Sequence, residues 1–190
     1  MHYLIAINTT PDKLPAGFTA IADGEMLSFE EPWSFEQPLI ARLDDATRLD
    51  ALKSLAPGMA MEGFAVEGFA EPGSGQAFVI AAHLMRDPTG FAPYAAAVPD
   101  VVKSFGGRFL ARGGHVTPVA GAFVPDRVVL IEFPSAANVV AFYFSKAYAP
   151  LLRIRLATTE PRFVLLARSG GLPDETKAAM EAHVGLSRNP

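Results

Sequence analysis

Gly106-Gly107-Arg108-Phe109-Leu110-Ala111-Arg112-Gly113-Gly114 decides the fold of this chain. A glycine pair closes each end of a five-residue run that alternates as a strand does, and a helical pattern leads into it. Upstream, Phe78 to Met85 reads as a strand, and Asp87-Pro88 supplies an N-cap followed by proline at the first helical position. Phe91, Tyr94, Val98, Val102 and Phe105 then recur at helical spacing, with Pro99 predicting a kink. Downstream, after an irregular connection, come strand Arg127–Phe133, a helix capped by Ser135 through Val139, Val140 and Tyr143, more helix over Tyr148–Leu156, and a closing strand Phe163–Ala167. The order is βαββαβ.

The residues before Gln76 read as a worn copy of that plan. Tyr3–Ile7 is a buried strand, residues 12–22 hold one or two helical turns, and Glu25–Phe29 and Leu39–Leu43 are strands on either side of Glu30–Pro38. Leu49, Leu52 and Leu55 mark a helix capped by Asp44 or Asp45 and stopped by Pro57-Gly58, and residues 59–69 form a last strand. Two serial βαββαβ orders predict an α+β chain of two tandem ferredoxin-like units, 1–70 and 76–169, joined by the linker 71–75. Each unit is expected to have four antiparallel strands. Residues 170–190 add a C-terminal helix, started by Pro173-Asp174-Glu175 and frayed from Gly185 to Pro190.

Composition narrows the function classes. The 190 residues are 50% hydrophobic with a net charge of −4, which fits a globular chain and argues against a nucleic-acid partner. No cysteine is present, so disulfides and thiolate chemistry are excluded. Met1–Ile7 lacks the pattern of a signal peptide and no apolar run is long enough to span a bilayer, so a cytoplasmic location without membrane contact is expected. His2, His83, His115 and His183 show no metal-ligand spacing; no metal or cofactor is assigned.

A resemblance rests on Phe78-Val79-Ile80-Ala81, Asp87-Pro88, Tyr94 with Ala95–Pro99, the Gly106–Gly114 run, Val128–Ser135, and Tyr143, Ser145 and Tyr148. Over residues 77–168 these make the chain similar to the uncharacterised family called domain of unknown function 1330, within the dimeric α/β-barrel superfamily. Phe142 stands where that family often has tryptophan, and His83 and His115 fit no family motif. The resemblance implies two sheets packed face to face, usually supplied by two chains. It also implies a superfamily that sometimes hosts cofactor-independent monooxygenases and isomerases. Here a linker of about five residues reaches at most about 17 Å, which favours a barrel closed within one chain over pairing of like units from two chains.

Strand parity puts Val79, Ala81 and His83 on one face, with Arg108 and Arg112 sharing a face and Val128, Leu130 and Glu132 another. If the helices cover the more uniformly apolar faces, His83, Arg108, Arg112 and Glu132 point into the barrel, with Tyr94 and Tyr143 adding hydroxyls. A histidine, a guanidinium and a carboxylate around an apolar cavity would make a binding or acid–base site for a small organic ligand. The plainer readings are a structural Arg112–Glu132 ion pair, a satisfied interior His83, and double glycines that only turn the chain. Three classes follow: a cofactor-independent enzyme, a non-catalytic binding protein, and an assembly protein with a filled interior.

Overall fold

The computed structural model describes residues 1–30 and 36–187. The turn expected within Glu30–Pro38 and the frayed end therefore fall partly outside the described residues. The strands are β1 (His2–Ile7), β2 (Phe18–Ala22), β3 (Met26–Ser28), β4 (Leu39–Leu43), β5 (Glu62–Glu67), β6 (Ala77–Met85), β7 (Arg108–Arg112), β8 (Val116–Ala120), β9 (Arg127–Phe133) and β10 (Thr159–Ala167). The helices are α1 (Arg48–Met59), α2 (Pro88–Ser104), α3 (Ala136–Tyr143), α4 (Ala149–Thr158) and α5 (Asp174–Ser187).

Two antiparallel sheets form, in the orders β2-β4-β1-β5-β8 and β3-β10-β6-β9-β7. Without β8 and β3, each half shows one arrangement: its first strand sits centrally between its third and its last, and its second lies outside the third. The sheets hold five strands each rather than four because each half has one strand more than expected, and the halves exchange one strand apiece. β3 leaves the first half to pair with β10, Leu27 opposite Leu165, and β8 leaves the second half to pair with β5, Thr117 opposite Ala65. Both exchanged strands are edges, where Pro118 of β8 is tolerated despite lacking an N–H. The expected first helix is not formed; a 3-10 turn at Pro11–Lys13 runs on to strand β2. Pro11 fixes the turn, and the chain from Phe18 on gains more by pairing with β4 than by helix formation. Pro57-Gly58 does not stop α1 either; the helix ends at Ala60, in the left-handed region with φ 52°.

The sheets of this one chain pack face to face. Tyr3, Ile5, Ile40 and Phe64 of one meet Phe78, Ile80, Leu130 and Leu166 of the other in an apolar layer, which leaves a cavity of about 50 Å³ at one end among Ile5, Phe64, Phe123 and Arg162. On the far side of the second sheet, Val79, Ala81, Val129 and Ile131 pack beneath Phe91, Tyr94, Val98 and Val102 of α2 and Val139 and Tyr143 of α3. α2 begins as the sequence dictates: the Asp87 carboxylate accepts from the Gly90 N–H at 2.9 Å, and Pro88 occupies the first turn. The Ser135 hydroxyl caps α3 by accepting from the Asn138 N–H at 3.3 Å. α1 covers the outer face of the first sheet through Leu49, Leu52 and Ala56.

Candidate functional site

The six residues singled out by parity do not meet in the barrel. His83 shares the helix-covered face with Val79 and Ala81, its ring 5.9 Å from that of Phe91. The reason is dehydration: the layer between the two sheets is mostly apolar, so the uniformly apolar set Phe78, Ile80 and Ala82 goes there and His83 takes the helix side. Arg112 joins His83 on that side through a bulge. β7 pairs Phe109 with Ile131 but Ala111 with Leu130, so one extra residue at Leu110 reverses the parity beyond it. Glu132 and Arg108 stay on the barrel face at its linker end, away from His83.

Glu132 and Arg112 are therefore not paired. The Glu132 carboxylate, 4% exposed, accepts from the N–H groups of Gly73 and Gly75, from Arg108 at 2.5 Å and from Arg168 at 2.9 Å. Burial pushes its carboxyl up, but the Gly73 N–H, Arg108 and the Gly75 N–H outweigh that and hold it below the ordinary range. A Cβ on Gly75 would fall 2.5 Å from the Glu132 side chain, so this approach requires glycine. The cluster seats the linker.

Of the remaining residues, Tyr94 and Arg112 line a cavity between the second sheet and α2; His83 adjoins the wall residues Phe91 and Arg127 but is not itself part of the lining. Ala81, Phe91, Tyr94, Phe109, Arg112 and Arg127 are among its walls, and about 20 Å³ of it is open to the centre of a water molecule, enough to hold one. Arg112, Arg127 and Phe109 are half-buried and make the solvent-side rim. The Arg112 guanidinium donates to the Ala95 carbonyl and lies over the Phe109 ring at 5.2 Å. Arg127 lies over Phe91 at 5.5 Å, and its buried Nε has no acceptor. His83, in β6 directly opposite Arg127 in β9, is fully buried, with no hydrogen-bond partner on either ring nitrogen.

Behind the cavity lies a polar network that no local sequence signal marks. The Tyr94 hydroxyl is 3.4 Å from that of Tyr148, which accepts from Arg155 Nε at 3.0 Å. Arg155 also donates from both terminal nitrogens to the Glu30 carboxylate, which accepts from the Tyr143 hydroxyl at 2.9 Å. Tyr143 thus belongs to this network and not to the cavity wall. Burial raises the Tyr143 and Tyr148 phenols far above their ordinary range, so both stay protonated. Arg127 was legible as a neighbour of Val129 and Ile131 at period two; Arg155 and Glu30, 125 positions apart, were not.

Burial, then the charges of Arg155 and Arg127, pull His83 well below the ordinary imidazole value of 6.5. The folded chain keeps it neutral while the unfolded chain takes up a proton below that value. Stability contributed by this group is thus present above pH 6.5 and lost as pH falls toward the depressed folded value. The expected slope is up to about 1.4 kcal/mol per pH unit. Urea melts over the acid range should show it in the wild type and not in His83→Leu; an unchanged slope in the variant would assign the acid sensitivity to other groups.

Two ferredoxin-like sheets facing each other, with helices outside, define an α+β protein of the dimeric α/β-barrel type, here with both sheets in one chain. Residues 76–168 match the model of the family described as domain of unknown function (DUF1330). No curated protein matches the chain. Among solved structures, a Rhodopseudomonas palustris protein of unknown function aligns with TM-score 0.43 and 18% identity, over 65% of this chain and 94% of its own. A candidate monooxygenase of Lactobacillus acidophilus NCFM aligns with TM-score 0.47 and 9% identity, over 87% of this chain and 91% of its own. An anthrone oxidase-like protein gives 0.47 and 13%, over 87% and 90%. Identities this low leave the chemistry to be argued from the residues. No described helix is long and apolar enough to cross a membrane.

Proposed function

We propose that the chain binds a small organic molecule in the cavity under α2 and that His83 accepts a proton from it in a cofactor-independent reaction. The observation that carries this reading is His83 itself: fully buried, neutral, and without a partner on either nitrogen beside a cavity with an arginine rim. Leaving a buried donor and acceptor unsatisfied costs about 1–3 kcal/mol each. A histidine kept at that cost is explained by a partner that arrives with the ligand.

The chemistry is a proton transfer. An acidic C–H of the substrate gives its proton to the free imidazole nitrogen, leaving an enolate whose charge faces Arg112 and Arg127; return of the proton to another carbon completes an isomerisation. The same enolate is the species that a cofactor-independent oxygenation needs, with dioxygen as the oxidant. Anything larger than water enters by displacing the half-buried rim side chains. The layer between the sheets is apolar and keeps a cavity only at one end, by Ile5, Phe64, Phe123 and Arg162; the binding reading rests on the helix side because the unpartnered His83 lies there.

Hydrogen–deuterium exchange at the methyl group of acetophenone, followed by proton NMR, tests the catalytic half. Wild type is expected to accelerate the exchange, and His83→Gln to lose about 100-fold of that acceleration. Acceleration that survives His83→Gln would remove His83 from the role. Binding without acceleration would make the protein a non-catalytic carrier.

A further inference from the structure

We propose that the ligand of this cavity is an oxyanion, a carboxylate borne on an aromatic or flat apolar body, and that Arg112 and Arg127 hold its charged end. The inference rests on the reading that the cavity binds a small molecule and adds the chemical class of that molecule. The first ground is a contrast among the arginines. Arg108 and Arg168 have Glu132, and Arg155 has Glu30. Arg112 and Arg127 line one cavity, and no carboxylate among the described residues lies within ion-pair distance of either.

The second ground is what these two side chains leave unmade. Arg127 Nε is buried without an acceptor, and Arg112 spends one terminal nitrogen on the Ala95 carbonyl. Each guanidinium lies over a phenylalanine ring, Arg112 on Phe109 and Arg127 on Phe91. A guanidinium set against a ring by its face keeps its edge donors for an in-plane acceptor such as a carboxylate. Bringing two cations to one cavity is unfavourable, and the Arg112 charge, after burial, is what draws Arg127 below its ordinary range. An anion between them reverses the sign of that interaction.

The third ground is the rest of the wall. Phe91, Phe109, Phe142 and Phe163 make the wall largely aromatic, and Tyr94 is in it too. His83, unpartnered and held neutral by burial, adjoins the wall residues Phe91 and Arg127 and adds no third positive charge there. Arginine, arginine, a neutral imidazole and aromatic faces match an aromatic carboxylate, or the enolate formed from a neighbouring C–H, better than they match a neutral or cationic ligand.

Titration calorimetry on the full chain with benzoate and its neutral isostere benzamide tests this. Benzoate is expected to bind at least about tenfold more tightly than benzamide. Arg127→Met and Arg112→Met should each remove most of that preference, bringing the benzoate and benzamide affinities together, and Arg127→Lys should restore part of it. Both methionine variants are expected to fold, because neither arginine has a carboxylate to strand; their melting temperatures report on that directly. Equal affinity for the two probes overturns the anion inference and leaves the cavity reading intact. Failure of both probes to bind at millimolar concentration overturns the two together.

Discussion

Arg155→Met is expected to destabilise the protein by about 3–5 kcal/mol, the cost of stranding one partner of a buried ion pair. Arg155 is fully buried and the Glu30 side chain is 8% exposed, so solvent screening does not discount the interaction. Burial opposes the Arg155 charge, yet Tyr148 and Glu30 outweigh it and hold the guanidinium above its ordinary range. Removing it leaves the Glu30 carboxylate, among the described residues, with the Tyr143 hydroxyl and takes the Arg155 donor from the Tyr148 oxygen. The location sets the consequence. Glu30 follows exchanged strand β3, while Arg155 sits on α4 in the second half, so the pair ties one half to the other. Phe29, tilted against Tyr143 at 4.4 Å and edge-on to Phe163 at 5.5 Å, makes the apolar part of the same tie. For a chain of this size the melting temperature should fall by about 10 °C. A double-mutant cycle with Glu30→Gln should show strong coupling, the double variant being less impaired than additivity predicts. A cost below about 1 kcal/mol, the scale of a surface pair, would sink the argument.

The second half was legible because its signals agree. Asp87-Pro88 caps and starts α2, Phe91, Tyr94, Val98 and Val102 keep one face, and Gly106 with φ 77° ends the following turn. In the first half β1, β4, α1 and β5 were legible, but not strand β2 or the sheet that β3 joins. Pro15 and Gly17 forecast a shortened helix, whereas residues 18–22 pair with β4 as a strand. β8 was missed because Pro118 argues against a strand, and only its edge position makes it acceptable. At the site, period-two counting grouped His83 with Val79 and Ala81 but cannot say which face meets the other sheet. Neither can it see the bulge at Leu110 that carries Arg112 to the helix side. Both are tertiary facts. The Arg155–Glu30 pair lies further out of reach, since a contact across 125 positions leaves no local trace.

Glu132→Ala is expected to cost about 3 kcal/mol, less than Arg155→Met although four groups lose a partner. The magnitudes decide the order. Arg108 is 47% exposed and Arg168 26%, so both guanidiniums recover hydration once the carboxylate is gone. Gly73 is exposed and Gly75 half-buried, so their N–H groups recover hydration in part, and each lost bond falls toward the low end of about 1–3 kcal/mol. Glu132→Gln keeps the shape and one acceptor, so it should cost less than alanine. The damage should also be local. Arg168 still donates to the carbonyls of Gly73 and Gly75, but the carboxylate that gathers the Gly73 and Gly75 N–H groups with both arginines is lost. Amide exchange at residues 73–76 should accelerate far more than in β6 or β9. The pH dependence has a fixed sign. The folded carboxyl lies below its ordinary value of 4.5, so its stabilisation is complete above that value and disappears as pH falls through the folded one. Wild type and Glu132→Gln should therefore converge in acid. A difference between them that persists undiminished at the acid limit would show that shape, and not charge, holds the linker.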